Sequence, residues 1–99
     1  MYLVHIHLRS PANGEALTRD IAAVVMAAGL EAGLEHVTVH TGGIPCPVIG
    51  IYVRAATLRA AEALAKEIWS RASATDRRLS RWVPLRIEVP LLVPPEWLT

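Results

Sequence analysis

In residues 2–9, YLVHIHLR, Tyr2, Val4, Ile6 and Leu8 occupy one parity, and Leu3, His5, His7 and Arg9 the other. A period of two with branched side chains predicts a strand with one apolar face and one fairly polar face. Ser10-Pro11 and Asn13-Gly14 end it, because Pro11 has no N–H to donate and Gly14 tolerates positive φ. The period then changes: Leu17, Ile21, Val24, Val25 and Ala28 fall on one helical stripe that closes near Gly29 or Gly33. Alternation returns in HVTVH, residues 36–40, with Val37 and Val39 opposed to His36, Thr38 and His40. The loop TGGIPCP, stiffened by its prolines, leads to a third strand, VIGIYVR, at residues 48–54. Thr57 suits the cap of a second helix, whose buried stripe is Leu58, Ala61, Leu64, Ala65, Ile68 and Ala72. Glu62 with Lys66, and Glu67 with Arg71, stand four apart on its outer surface. Residues 74–81 read as a polar connector with room for a helical turn. Trp82 to Val89 alternate as a fourth strand, in which Pro84 argues for an edge.

The order β-α-β-β-α-β defines an α+β fold of ferredoxin-like type: a four-stranded antiparallel sheet with two helices on one face. Its strands are expected in the order 4-1-3-2. The chain reads as one domain over residues 1–99, with PLLVPPEWLT, residues 90–99, as an extended C-terminal tail. The helix-facing set is Val4, Ile6 and Leu8; Val37 and Val39; Ile49, Ile51 and Val53; Leu85, Ile87 and Val89. Parity then assigns the opposite, open face to His5, His7 and Arg9; His36, Thr38 and His40; Gly50, Tyr52 and Arg54; Arg86 and Glu88.

Composition narrows the function. Ninety-nine residues hold one core, and 53% hydrophobic against 19% charged residues excludes a disordered tail. A formal net charge of +1 argues against nucleic acid or an anionic membrane as a partner bound by bulk charge. The single cysteine, Cys46, excludes an intrachain disulfide and a four-thiolate metal site. No apolar run reaches the length of a bilayer span, and the N-terminus alternates where a signal peptide would be continuously apolar. The expected location is the cytoplasm. Lys66 is the sole lysine among arginines, a bias that GC-rich coding produces. Without phenylalanine, the core must come from Val, Leu, Ile and Ala, with Trp69, Trp82 and Trp97 as the bulky exceptions. Such a core is modest, and a homodimer or higher oligomer would add buried area.

The four histidines at 5, 7, 36 and 40 all fall on the open face. The third strand separates the two histidine-bearing strands by about 9–10 Å, and Gly50 between them has no side chain to keep the imidazoles apart. Three readings of this face stay open. It is a solvated sheet surface; or a small-molecule site, with His5, His7 and His40 as acid–base groups and His36, Tyr52, Arg54, Arg86 and Glu88 holding a ligand; or a metal site. His5-x-His7 suits chelation, but His36 and His40 lie on the order of 13 Å apart along a strand. No carboxylate pattern completes a shell, so neither a metal nor a cofactor is expected. Cys46 offers a thiol or a soft ligand, though an isolated loop cysteine is more often incidental; Thr41-Gly42-Gly43 could present N–H groups to an anion but lacks the flanks of a phosphate loop and reads as a turn. Nucleophile-elbow, paired-carboxylate and dinucleotide patterns are missing from the sequence.

The element order and the barrel-lining character of YLVHIHL resemble the dimeric α/β-barrel superfamily. That resemblance implies two sheets packed through their open faces around a substrate cavity. It implies a homodimer and a cofactor-independent tailoring enzyme of monooxygenase, cyclase or isomerase type, with the tail reaching across to the partner. RNA-recognition domains fit less well, since only Tyr2 and Tyr52 stand on the two central strands. Copper chaperones need paired cysteines where this chain has Ser10-Pro11, whereas an ACT-type regulatory domain remains compatible with Asn13-Gly14. Two alternatives stand beside the enzyme: a non-catalytic module docking through the open sheet or through Leu91, Leu92, Val93 and Trp97, and a His-rich metal-binding protein.

Overall fold

The apolar parity of each strand has to meet the apolar stripe of each helix, and the architecture follows from that pairing. The computed structural model describes residues 1–9, 17–40 and 47–89. Its elements are β1 (Tyr2–Arg9), α1 (Ile21–Gly29), a 3₁₀ turn (Leu30–Ala32), β2 (Leu34–His40), β3 (Val48–Val53), α2 (Leu58–Thr75), α3 (Arg77–Ser80) and β4 (Val83–Glu88). The four strands form one antiparallel sheet in the order β2-β3-β1-β4, which reads 4-1-3-2 from the β4 edge. The fold class is thus α+β.

Val4, Ile6 and Leu8 of β1 and Ile49, Ile51 and Val53 of β3 are fully buried. They share one core with Ile21 and Val25 of α1 and Ala61, Ala65, Ile68 and Ala72 of α2. Fully burying each Val, Leu or Ile is worth about 1.5–3 kcal/mol, so the two central strands anchor the sheet. The small alanines let α2 lie close to the strands, while Trp69 and Trp82 fill the remaining volume from its far end. Tyr2, Val39, Ile87 and Val89 are partly buried against the same core.

Helix boundaries differ from the sequence expectation in three places. Leu17 is buried, yet α1 begins only at Ile21. Leu58, in the first turn of α2, is exposed instead of joining the buried stripe. The polar connector holds the helical turn the sequence allows, as α3, but is helical before it too: α2 runs on to Thr75, and Asp76 then caps α3 by accepting from the Arg78 N–H at 2.8 Å. The α2 cap is where the sequence puts it, with Thr57 Oγ1 accepting from the Ala60 N–H at 3.1 Å. Glu67 and Arg71 form their pair. Among the described residues Glu62 and Lys66 form none.

Two register shifts break the simple parity, both in edge strands. In β2 the pairing passes from Leu34↔Val53 to His36↔Tyr52, leaving Glu35 as the extra residue. That shift carries Leu34 into the core beside Val53. In β4 the pairing passes from His7↔Arg86 to Leu8↔Pro84, leaving Leu85 unmatched. Leu85 is therefore 48% exposed and not helix-facing as strict alternation predicts. An extra residue flips the parity of everything beyond it. Among the described residues no helix is long and apolar enough to cross a membrane.

Candidate functional site

The face opposite the helices is built in rows by the strand register. One row runs His40–Val48–His7–Arg86 across β2, β3, β1 and β4. The next runs Thr38–Gly50–His5–Glu88, and a third His36–Tyr52–Leu3. Three of the four strands thus contribute a titratable group within two adjacent rows. Leu3 and Val48 make the surface part apolar.

Gly50 is the hinge of this arrangement. A Cβ built on it would stand 2.6 Å from Thr38 Oγ1, 3.5 Å from Leu3 Cδ1 and 3.7 Å from His5 Cδ2. The missing side chain lets Thr38 lean over β3 toward β1. Its hydroxyl donates to the Gly50 carbonyl at 3.4 Å and lies 3.3 Å from His40 Nε2.

On the other side of Gly50, the rings of His5 and His7 meet edge to face with centroids 5.9 Å apart. The His7 Nε2 atom is buried and lies 3.3 Å from Glu88 Oε1. The contact is within ion-pair range but lacks hydrogen-bond alignment, so that nitrogen has no hydrogen-bonding partner among the described residues. The His5 pKa lies below the ordinary value of 6.5. Burial is the main cause; His7 and His40 add repulsion, and Glu88 opposes the shift. At neutral pH His5 is an uncharged imidazole, able to accept a proton.

The remaining expected site residues divide. His36 and Tyr52 stand side by side with ring centroids 5.8 Å apart, one row away from His5. Arg86 is 3.8 Å from Glu88, beside His7. Arg54 lies beyond the end of β3, and its guanidinium is held by Glu35, the extra residue of β2. Its charge is spent there and does not join the His5–His7 group. Cys46, the Thr41–Gly43 turn, Asn13-Gly14 and the 90–99 tail, including Leu91, Leu92, Val93 and Trp97, lie outside the described residues. Among the described residues no group of three or more His, Cys, Asp or Glu is arranged to hold a metal ion.

Sequence parity places the strand-borne histidines and Thr38 on this face but misses the close approach of Thr38 to Gly50. The signal is present in the sequence: a glycine inside a strand otherwise made of Val, Ile and Tyr marks a close approach. Comparison of the chain with protein-family models, with curated proteins and with solved structures found no match.

Proposed function

We propose that this chain is a ferredoxin-like, small-molecule-binding protein that works as a homodimer of the dimeric α/β-barrel kind, with the histidine-bearing sheet face lining its pocket. The observation that carries this reading is the row arrangement around Gly50. His7 of the same strand and His40 of β2 both bear on the charge of His5, on a face that also offers Leu3, Val48 and Tyr52 as apolar contacts. Pockets for small molecules combine mostly apolar walls with a few convergent polar groups. Here His5, His7 and His40 are the proton-transfer candidates, and His36, Tyr52, Arg86 and Glu88 are the orienting groups. Arg54 contributes only at the rim, since Glu35 already engages it.

A neutral His5 favours a general-base role, because an imidazole that stays unprotonated at pH 7 can take a proton from an acidic C–H or O–H. Arg86 would face the developing anion. No cofactor is invoked, and the chemistry would be proton abstraction or isomerisation of an enolisable substrate.

Sedimentation equilibrium tests the reading. The wild-type chain is expected at twice its chain mass, and Leu3→Glu with Val48→Glu, which charge the open face without touching the core, should return it to a monomer. A wild-type protein that remains monomeric at all concentrations would overturn the proposal. So would a dimer indifferent to both substitutions.

A further inference from the structure

Glu88 lies between an imidazole and a guanidinium and completes a contact with neither. Its Oε1 atom is 3.3 Å from His7 Nε2 and 3.8 Å from a guanidinium nitrogen of Arg86. The register produces this crowding: Arg86 stands opposite His7, and Glu88, two residues on, stands opposite His5. All three side chains therefore leave the same face of two adjacent strands.

The contact with His7 is the unfinished one. Nε2 is buried, yet it makes no hydrogen bond among the described residues. A bare lone pair there is repelled by the carboxylate, and an N–H there meets an acceptor that is not aligned with it. Protonation changes this, because the imidazolium donates from both nitrogens and makes a charge-assisted bond to a carboxylate that turns to meet it. Glu88 and Arg86 are both exposed enough to move. The other groups that face His7 offer no anion. On its own strand these are His5, edge to face with it, and Arg9. Across β3 they are Val48 and, beyond it, His40 of β2. Burial keeps His5 uncharged, with repulsion from His7 and His40, so an added proton is better placed on the ring beside Glu88.

We propose that Glu88 is an exchangeable counter-ion, which neutralises Arg86 while His7 is uncharged and turns to His7 when that ring takes up a proton. Arg86 is then released to hold a carboxylate or enolate on the same face. His7 and Glu88 are thus positioning residues that act through Arg86. The ligand-holding half of this inference rests on the pocket proposed above; the exchange itself does not.

The test follows the His7 ring and Arg86 Nε signals of the full chain by ¹⁵N NMR from pH 8 to pH 5. In the wild type both are expected to move with one midpoint. In Glu88→Gln the His7 ring still titrates while the Arg86 signal stays in place, and in His7→Gln the Arg86 signal is likewise still. Benzoate serves as the anionic probe. Read at Arg86 Nε, it should bind the wild type about tenfold more tightly at pH 5.5 than at pH 7.5, the gain of one charge-assisted contact. Glu88→Gln should bind it at pH 7.5 as tightly as the wild type does at pH 5.5. An Arg86 signal indifferent to the His7 titration overturns the exchange, as does an equal response in Glu88→Gln. Exchange with benzoate binding that ignores pH overturns the release of Arg86. A chain that sediments as a monomer but shows the exchange would end the dimer reading and leave this one intact.

Discussion

Gly50 shows how one missing side chain organises several present ones. Thr38 leans over β3 only because nothing grows from Gly50, and its hydroxyl stands beside His40 Nε2 while His5 borders the same gap from β1. Gly50→Ala would place a methyl 2.6 Å from Thr38 Oγ1, so the hydroxyl must swing away. The expected cost is about 1–3 kcal/mol, as for other overpacked sites. Thr38→Ala in the same chain removes the colliding atom and should recover most of that loss. Urea unfolding of the two single variants and the double variant measures the coupling; additive losses would show that the two residues do not press on each other. At Gly33 a side chain is barred for a different reason, because its φ of +96° lies in the left-handed region. Its carbonyl accepts from the Arg54 N–H at 2.9 Å, which fixes where β2 begins against the end of β3.

At the scale of elements, the joint between α2 and α3 carries more than its four-residue helix suggests. Arg78 reaches both Asp76, which caps α3, and Asp20 at the start of α1. Both carboxyls are held below the ordinary carboxylate range, each by its own hydrogen bonds: Thr18 and then Arg78 for Asp20, Arg78 for Asp76. These groups are exposed, so the ion pairs themselves stabilise little. The cap matters more. Asp76→Ala should lower the melting temperature through the lost bond to the Arg78 N–H, and Arg78→Ala markedly less, a ranking that thermal melts can read. Helix and strand identities were legible in the sequence because the two periods, near 3.6 and 2, are distinct over most segments. Thr57 as a cap was legible for a local reason too, since its bond goes to a backbone three residues on. The register shifts at Glu35 and Leu85 were not. Each depends on how an edge strand meets its neighbour, and nothing in LEH or PLR by itself shows a residue to be surplus. The same holds for Arg54, whose partner Glu35 lies on another strand.

For the molecule as a whole, acid should act in two steps. Well above pH 6.5 His5 is neutral in both folded and unfolded chains and contributes no pH dependence. Below 6.5 the unfolded chain takes up a proton that the folded chain resists, so stability falls as pH drops toward the lowered folded value. Asp20 and Asp76 repeat this sign below their ordinary value of 3.8, where the unfolded carboxylates protonate first. Urea midpoints measured from pH 8 to pH 3 are expected to show both losses. His5→Gln should erase the upper step and leave the lower one; an unchanged upper step would assign it elsewhere.

The two surplus residues also bear on how copies of this chain meet. A flat strand at the margin of a sheet is a template on which the next molecule adds, and then the next, without end. Here both margins are spoiled, β2 by Glu35 and β4 by Leu85 with Pro84, whose nitrogen cannot donate. Growth along the hydrogen-bonding direction is discouraged at both ends. In the homodimer proposed above, association would instead use the broad surfaces, where a pair of molecules covers the same patch on each other and leaves nothing for a third. Spoiled margins make such an assembly self-terminating.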